Sequence, residues 1–96
     1  MSTPSIEHIY NNAVRVDVEE GTYLFSYNSP IFHVIGNRIV HVFKDYDYSR
    51  TTVKHVNYFI DSCGSLYLGE HNLKEYDNRK RKQLLDEFYL KQEQDK

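Results

Sequence analysis

The amino-acid sequence predicts an α+β protein in which an antiparallel β-meander of three to five strands carries two helices on one face. Two observations support this prediction. Short apolar runs, several of which alternate with polar residues, fill the first half of the chain to about residue 44. Two patterns with helical spacing follow in the second half. Strands that precede helices in this way are typical of layered α+β domains.

Length and composition limit the classes of protein that this chain can form. It has 96 residues, a net charge of −2 and one cysteine. We expect a single domain over residues 1–96, with flexible ends at about 1–5 and 93–96. The single cysteine excludes an internal disulfide and a cysteine-based zinc site. The small net charge argues against general coating of nucleic acid, although not against a local basic patch.

The first strands are predicted from alternation. Val14, Val16 and Val18 alternate with Arg15 and Asp17, which indicates a half-buried strand.

A second strand is predicted over residues 22–27, where three aromatic side chains share one face. The segment before the valines, around Ile6 and Ile9, is interpreted as a short helical turn.

A hairpin is predicted where Gly36 and Asn37 separate two apolar runs, because Gly supplies the positive φ of a type II′ turn. A two-residue loop would pair Phe32 with His41 and place His33 on the opposite face from His41. Both faces of this hairpin are substantially apolar, so we expect it to be central in the sheet or covered on both sides.

Two helices follow the hairpin. Ser49 or Thr51 is expected to cap a helix that runs to about Ser62 and buries an apolar stripe. Residues 65–68 are predicted to form a short fifth strand or an extended loop. The second helix is predicted over about 73–92.

The start of the first predicted helix concentrates polar groups. Arg50 and Lys54 lie at positions i and i+4 and share a face, and Thr51 and His55 are likewise one turn apart. A helix N-terminus with cations and hydroxyls can bind an anion such as phosphate. The alternative is an N-cap followed by a solvated face.

A basic run lies on the second predicted helix and consists of Arg79, Lys80, Arg81 and Lys82. Such a run can bind a phosphate backbone. It is also typical of a solvated helix face with i, i+4 ion pairs. Nucleic-acid binding would be favoured if this run shared one surface with Arg50 and Lys54.

Catalytic and metal-binding patterns are weak. The five histidines lack the spacing of known metal motifs, and we expect no metal and no cofactor. Cys63 and His55 are eight residues apart, about two helical turns, which is too far for a nucleophile and its base. We predict that the protein is not an enzyme.

Two segments resemble a family of small bacteriophage-encoded proteins of unassigned function. Residues 26–31, SYNSPI, resemble the motif SYxTP(I/V), with Ser29 in place of Thr. Residues 48–57, YSRTTVKHVN, resemble (Y/W)SRTTxKHxN. The resemblance extends over about 21–60. It implies a phage origin, and with it a location in the host cytoplasm, but it implies no catalytic residues.

The two motifs suggest that the end of one strand and the start of the first helix meet at an edge of the sheet. Tyr27, Arg50, Thr51, Lys54 and His55 would then form a polar patch. The alternative is a structural hydrogen-bond network that holds the helix to the sheet.

The favoured hypothesis is a binding protein that inhibits or modulates a host or defence protein by occupying its surface. Its contacts would come from Tyr46, Tyr48, Tyr58 and the acidic loop 45–47. The alternative is nucleic-acid or nucleotide binding through the basic start of the first helix. A weak homodimer remains open, because small domains gain core by association. We expect no membrane partner.

Overall fold

The computed structural model describes residues 5–10 and 12–94. One seven-stranded sheet follows chain order, and its strands are β1 (Ser5–Tyr10), β2 (Ala13–Val18), β3 (Gly21–Ser26), β4 (Ser29–Ile35), β5 (Arg38–Val42), β6 (Tyr67–Leu68) and β7 (His71–Asn72). The helices are α1 (Arg50–Ser62) and α2 (Asn78–Gln94), with short 3₁₀ helices at Lys44–Asp47 and Leu73–Glu75.

The predicted α+β class is confirmed. The five long strands form the antiparallel meander. Two strands of two residues each, β6 and β7, extend the sheet, and β6 runs parallel to β5. Both helices contribute to one hydrophobic core on a single face of the sheet. In that core Phe32 of β4 lies against Phe59 of α1, with ring centroids 6.3 Å apart, and Leu84 and Leu85 bring in α2.

The hairpin turn forms as predicted. Ile35 pairs with Arg38 across a two-residue loop, and Gly36 has a φ of 66°. A type II′ turn needs this positive φ at its first central position, which glycine adopts without a steric cost.

Val34 pairs with Ile39 as a two-residue loop predicts, but the predicted pairing beyond these two residues is wrong. Val40 bulges out of β5, so that Phe32 pairs with Val42 and His33 pairs with His41. The two histidines therefore lie on the same face of the sheet, not on opposite faces.

A second bulge explains two consecutive core residues in β4. Phe25 pairs with Pro30 and Leu24 with Phe32, which leaves Ile31 as the extra residue. Ile31 and Phe32 are both fully buried, although strict alternation would expose one of them.

The N-terminal segment is a strand, not the predicted helical turn. Ile6 pairs with Val16, and β1 forms the edge of the sheet beside β2. The predicted flexible ends fall partly on residues 1–4 and 95–96, outside the described residues. Among the others, Ser5 belongs to β1 and Gln94 to α2. Neither helix within the described ranges combines the length and apolar character needed to cross a membrane.

Candidate binding surfaces

The start of α1 is held by a buried hydroxyl and imidazole network. Ser49 is the N-cap, and its Oγ accepts a hydrogen bond of 3.1 Å from the backbone N–H of Thr52. The Thr52 hydroxyl lies 3.3 Å from Ser26 Oγ at the end of β3, and Ser26 Oγ lies 2.8 Å from His55 Nδ1.

Ser26, Thr52 and His55 are all buried, so this network joins β3 to α1 inside the protein. The two segments that resembled family motifs therefore do meet at one end of the sheet. Their inner side chains form a structural network, and His55 lies within it and does not face solvent.

A cleft opens beside this network. It has a volume of about 400 Å³ and lies between the turn that follows β3 and the start of α1. Tyr27, Asp45 and Tyr48 line it. The carboxylate of Asp45 opposes a phosphate at this helix start, since like charges repel at short range.

Five of the predicted contact residues lie on the outer side of α1 or just before it. Arg50 and Lys54 are exposed and Thr51 is half-buried. Tyr48 is 80% exposed, and Tyr58 is also exposed, further along the helix. The structure therefore leaves these five residues on or near the surface.

Tyr46 does not belong to this surface, and its predicted role as an exposed contact is wrong. It is only 8% exposed, its hydroxyl donates a hydrogen bond to Asp86, and its ring lies 5.4 Å from that of Tyr89. Burial, together with the bond to the Asp86 carboxylate, raises the pKa of the Tyr46 phenol. The segment expected to be an acidic loop is a 3₁₀ helix that packs against α2.

The four residues of the basic run also lie in different environments. Arg81 is 5% exposed and bonds to three groups: the Leu73 carbonyl at 2.8 Å, Asn57 Oδ1 at 3.2 Å and Asp61 Oδ1 at 2.7 Å. Asn57 and Asp61 lie on α1, so Arg81 joins the two helices.

Lys82 forms ion pairs with Asp86 at 3.0 Å and Asp47 at 3.7 Å, and the hydrogen bond to Asp86 raises its pKa. Arg79 and Lys80 are exposed. The four basic residues therefore do not form a continuous cationic patch, because two of them are used in contacts within the protein.

The surface that the sequence did not predict is the sheet face opposite the helices. Directly paired residues share a face, and Arg15 pairs with the core residue Leu24. Arg15 therefore points to the side of the helices. Val14, which pairs with Phe25, and Val16, which pairs with Tyr23, point away from the helices. The apolar stripe of β2 lies on the side of the sheet that neither α1 nor α2 covers.

Aromatic rings extend this stripe across β3, β4 and β5. The ring of Tyr23 stacks on His33 with a centroid distance of 4.3 Å, and it lies 6.5 Å from Phe43. His41 contacts Phe43 edge to face at 4.6 Å. His33 Nε2 donates to the Glu20 carbonyl at 2.8 Å, which orients the imidazole.

We call this surface the open face. Its described residues, assigned by strand pairing, alternation and ring contacts, include Ile6, Val14, Val16, Val18, Tyr23, Phe25, Pro30, His33, Ile35, Arg38, His41 and Phe43. Arg38 is the only Asp, Glu, Lys or Arg among them, and it lies at the turn end of β5, where its guanidinium donates to the Gly69 carbonyl at 2.8 Å. Within residues 5–10 and 12–94, no three metal-ligating side chains form a group.

Fold and surface together define a small α+β protein with one helix-covered sheet face and one open, largely apolar face. The chain belongs to DUF8033, a family of unknown function, whose sequence model matches residues 1–83. The match includes all seven strands, α1 and the first part of α2. No curated protein and no solved structure is significantly similar to this chain.

Proposed function

We propose that this protein is a binding protein without enzymatic activity, which acts by occupying a surface of another protein through its open face. One observation carries the proposal. The three valines of β2 and the rings of Tyr23, Phe25 and Phe43 form one apolar surface away from the helices. Contiguous exposed apolar surfaces on small proteins mark sites of interaction.

The chemistry of the open face favours a protein partner over a nucleic acid. Affinity for nucleic acid comes largely from Lys and Arg contacts with phosphates, and stacking surfaces for single strands combine aromatic rings with such cations. Among the described residues of the open face Arg38 is the only Lys or Arg, and its guanidinium is bonded to the Gly69 carbonyl at one end of the face. An apolar protein surface fits it better.

The partner that we propose is a host or defence protein, which this protein would inhibit or modulate. This choice rests on the resemblance of residues 48–57 to a phage motif. We propose that the interaction occurs in the host cytoplasm, so lysate of the host is the source in which to search for the partner.

Capture of partners from host lysate tests the proposal. The bait variant Tyr23→Ser removes a ring from the open face, and Tyr48→Ser is the matched control because Tyr48 is exposed elsewhere. We expect wild type and Tyr48→Ser to retain the same protein, and Tyr23→Ser to lose it. Loss with Tyr48→Ser and retention with Tyr23→Ser would instead place the contact beside α1.

Nucleic-acid or nucleotide binding is the second candidate, because Arg50 and Lys54 are exposed on one face at the start of α1. It predicts an affinity that falls as salt rises, and loss of binding in Arg50→Ala/Lys54→Ala with folding intact. The control Arg79→Ala/Lys80→Ala removes two other exposed cations. Equal binding by wild type and both double variants would contradict this candidate.

A further inference from the structure

We infer that a second copy of this chain covers the open face in the free protein, so that two sheets stack face to face in a homodimer. This inference rests on the proposed function, since both require the open face to be buried against protein. The inference adds that a second copy of this chain occupies the open face before a target protein binds there. A target protein would then have to displace the second copy.

Charge is the first argument. In a symmetric dimer the same surface patch meets itself across the two-fold axis, so any charge near the axis faces its own copy. Among the described residues of the open face only Arg38 is charged, and it lies on β5, two strands away from the middle strand β3. Self-association about an axis along β3 therefore brings no like charges together at the centre of the interface.

Shape is the second argument. The valines lie on β2, and the larger rings and imidazoles lie mainly on β3, β4 and β5. A two-fold axis along the middle strand β3 would place β2 of one copy over β4 of the other. Small side chains such as Val16 would then face larger ones such as His33, as in sheets packed about 10 Å apart.

Area is the third argument. Five strands about 4.8 Å apart and about six residues long give a flat footprint of roughly 24 by 20 Å. The solvent-accessible area of the side chains on this face is larger than the flat area of the sheet beneath them. Two copies would bury at least about 1,000 Å² in total, which reaches the lower limit for a specific interface. We therefore expect a weak dimer, with a Kd in the micromolar range.

Sedimentation velocity over a concentration series tests the inference with full-length chains. We expect wild type to change from monomer to dimer as its concentration rises. Tyr23→Lys puts a charge on the central strand of the open face and should weaken the dimer by a factor of about ten or more. Tyr48→Lys places the same charge on an exposed tyrosine elsewhere and should leave the dimer unchanged.

A charge-exchange pair separates a lost interface from a lost fold. Tyr23→Glu alone should weaken the dimer as Tyr23→Lys does, and mixing the two variants should restore a dimer, because opposite charges then meet near the two-fold axis. Restoration would support the inference directly. A folded Tyr23→Lys variant that still dimerises as wild type does would overturn it, because the contact would then lie elsewhere.

The proposed function and this inference can fail separately. If wild type is monomeric at every concentration but captures a lysate protein that Tyr23→Lys does not, the inference is wrong and the open face still binds a target. If wild type is monomeric and Tyr23→Lys captures the same proteins as wild type, both are wrong.

Discussion

The two faces of one sheet have different relations to the rest of the chain. On the covered face, Leu24, Phe32 and Val42 are fully buried under α1 and α2. On the open face, Tyr23 and Phe43 remain partly exposed, although their rings are largely apolar, like the side chains on the covered face. The difference teaches that apolar alternation predicts a surface that must be buried, but not whether the same chain buries it.

The strand β2 shows this most clearly. Its charged residues Arg15 and Asp17 lie on the side of the helices, where Asp17 accepts hydrogen bonds from Arg15 and Thr22. Those hydrogen bonds lower the pKa of the Asp17 carboxyl. The apolar stripe of β2 was expected to be half-buried, and its partial burial comes from neighbouring strands on the open face.

The largest difference between the faces should appear in stability. Phe32→Ala opens a cavity beside Phe59 and should lower the free energy of unfolding by about 3–5 kcal/mol. The matched change Phe43→Ala on the open face should cost less than about 1 kcal/mol in dilute solution. Urea denaturation of both variants measures the two losses. Losses of equal size would mean that the open face is core.

The next largest effect concerns the basic run. Arg81→Ala removes bonds to Leu73, Asn57 and Asp61 at the contact between α1 and α2, and should cost about 2–3 kcal/mol. Lys80→Ala, one position earlier, removes an exposed cation and should stay within about 0.5 kcal/mol of wild type. Neither change alters the open face, so dimer formation by folded protein should persist in both. An Arg81→Ala variant as stable as wild type would contradict the structural role.

The buried network gives a smaller effect that separates structure from binding. Ser26→Ala removes the partner of His55 Nδ1 and should cost about 1–2 kcal/mol. Ser62→Ala, at the exposed end of α1, is the serine control. Thermal unfolding measures both, and partner capture should be unchanged in each. A Ser26→Ala variant that is stable but loses its partner would make this network the binding site.

The smallest effect is pH-dependent. Tyr46→Phe removes the hydrogen bond to Asp86 and should cost about 1 kcal/mol at neutral pH. The raised pKa of Tyr46 means that the folded state keeps its proton above the ordinary value of 10.0 while the unfolded chain loses it. Wild type should therefore lose stability as pH rises past that value, and the variant should lose less. Parallel urea titrations at neutral and alkaline pH measure the loss of unfolding free energy in each protein. Equal losses in wild type and in Tyr46→Phe would contradict this prediction.

Local features of the fold were predictable from the sequence. The Ser49 cap, the end of α1 near Ser62 and the turn at Gly36 depend on residues within a few positions of each other. The strand β1 was not predictable, because its apolar spacing also suits a helical turn and only pairing with β2 selects the extended form.

The candidate site was predicted less completely than the fold, because the positions of its residues depend on contacts between distant parts of the chain. Burial of Tyr46 and Arg81 depends on contacts with Asp86 and Asp61, which lie 40 and 20 residues away in the chain. The bulge at Val40 reverses the expected side of His41 relative to His33. No local signal marks that bulge, and the open face could not be assembled without it.

Site-specific photocrosslinking tests the central claim most directly, namely that the open face is the surface that contacts protein. Benzoylphenylalanine would replace Tyr23 on the open face or, as a control, the exposed Tyr58 of α1. We predict covalent protein adducts from position 23, to a second copy in purified protein and to a target in host lysate, and none above background from position 58. Adducts from position 58 alone would contradict the account.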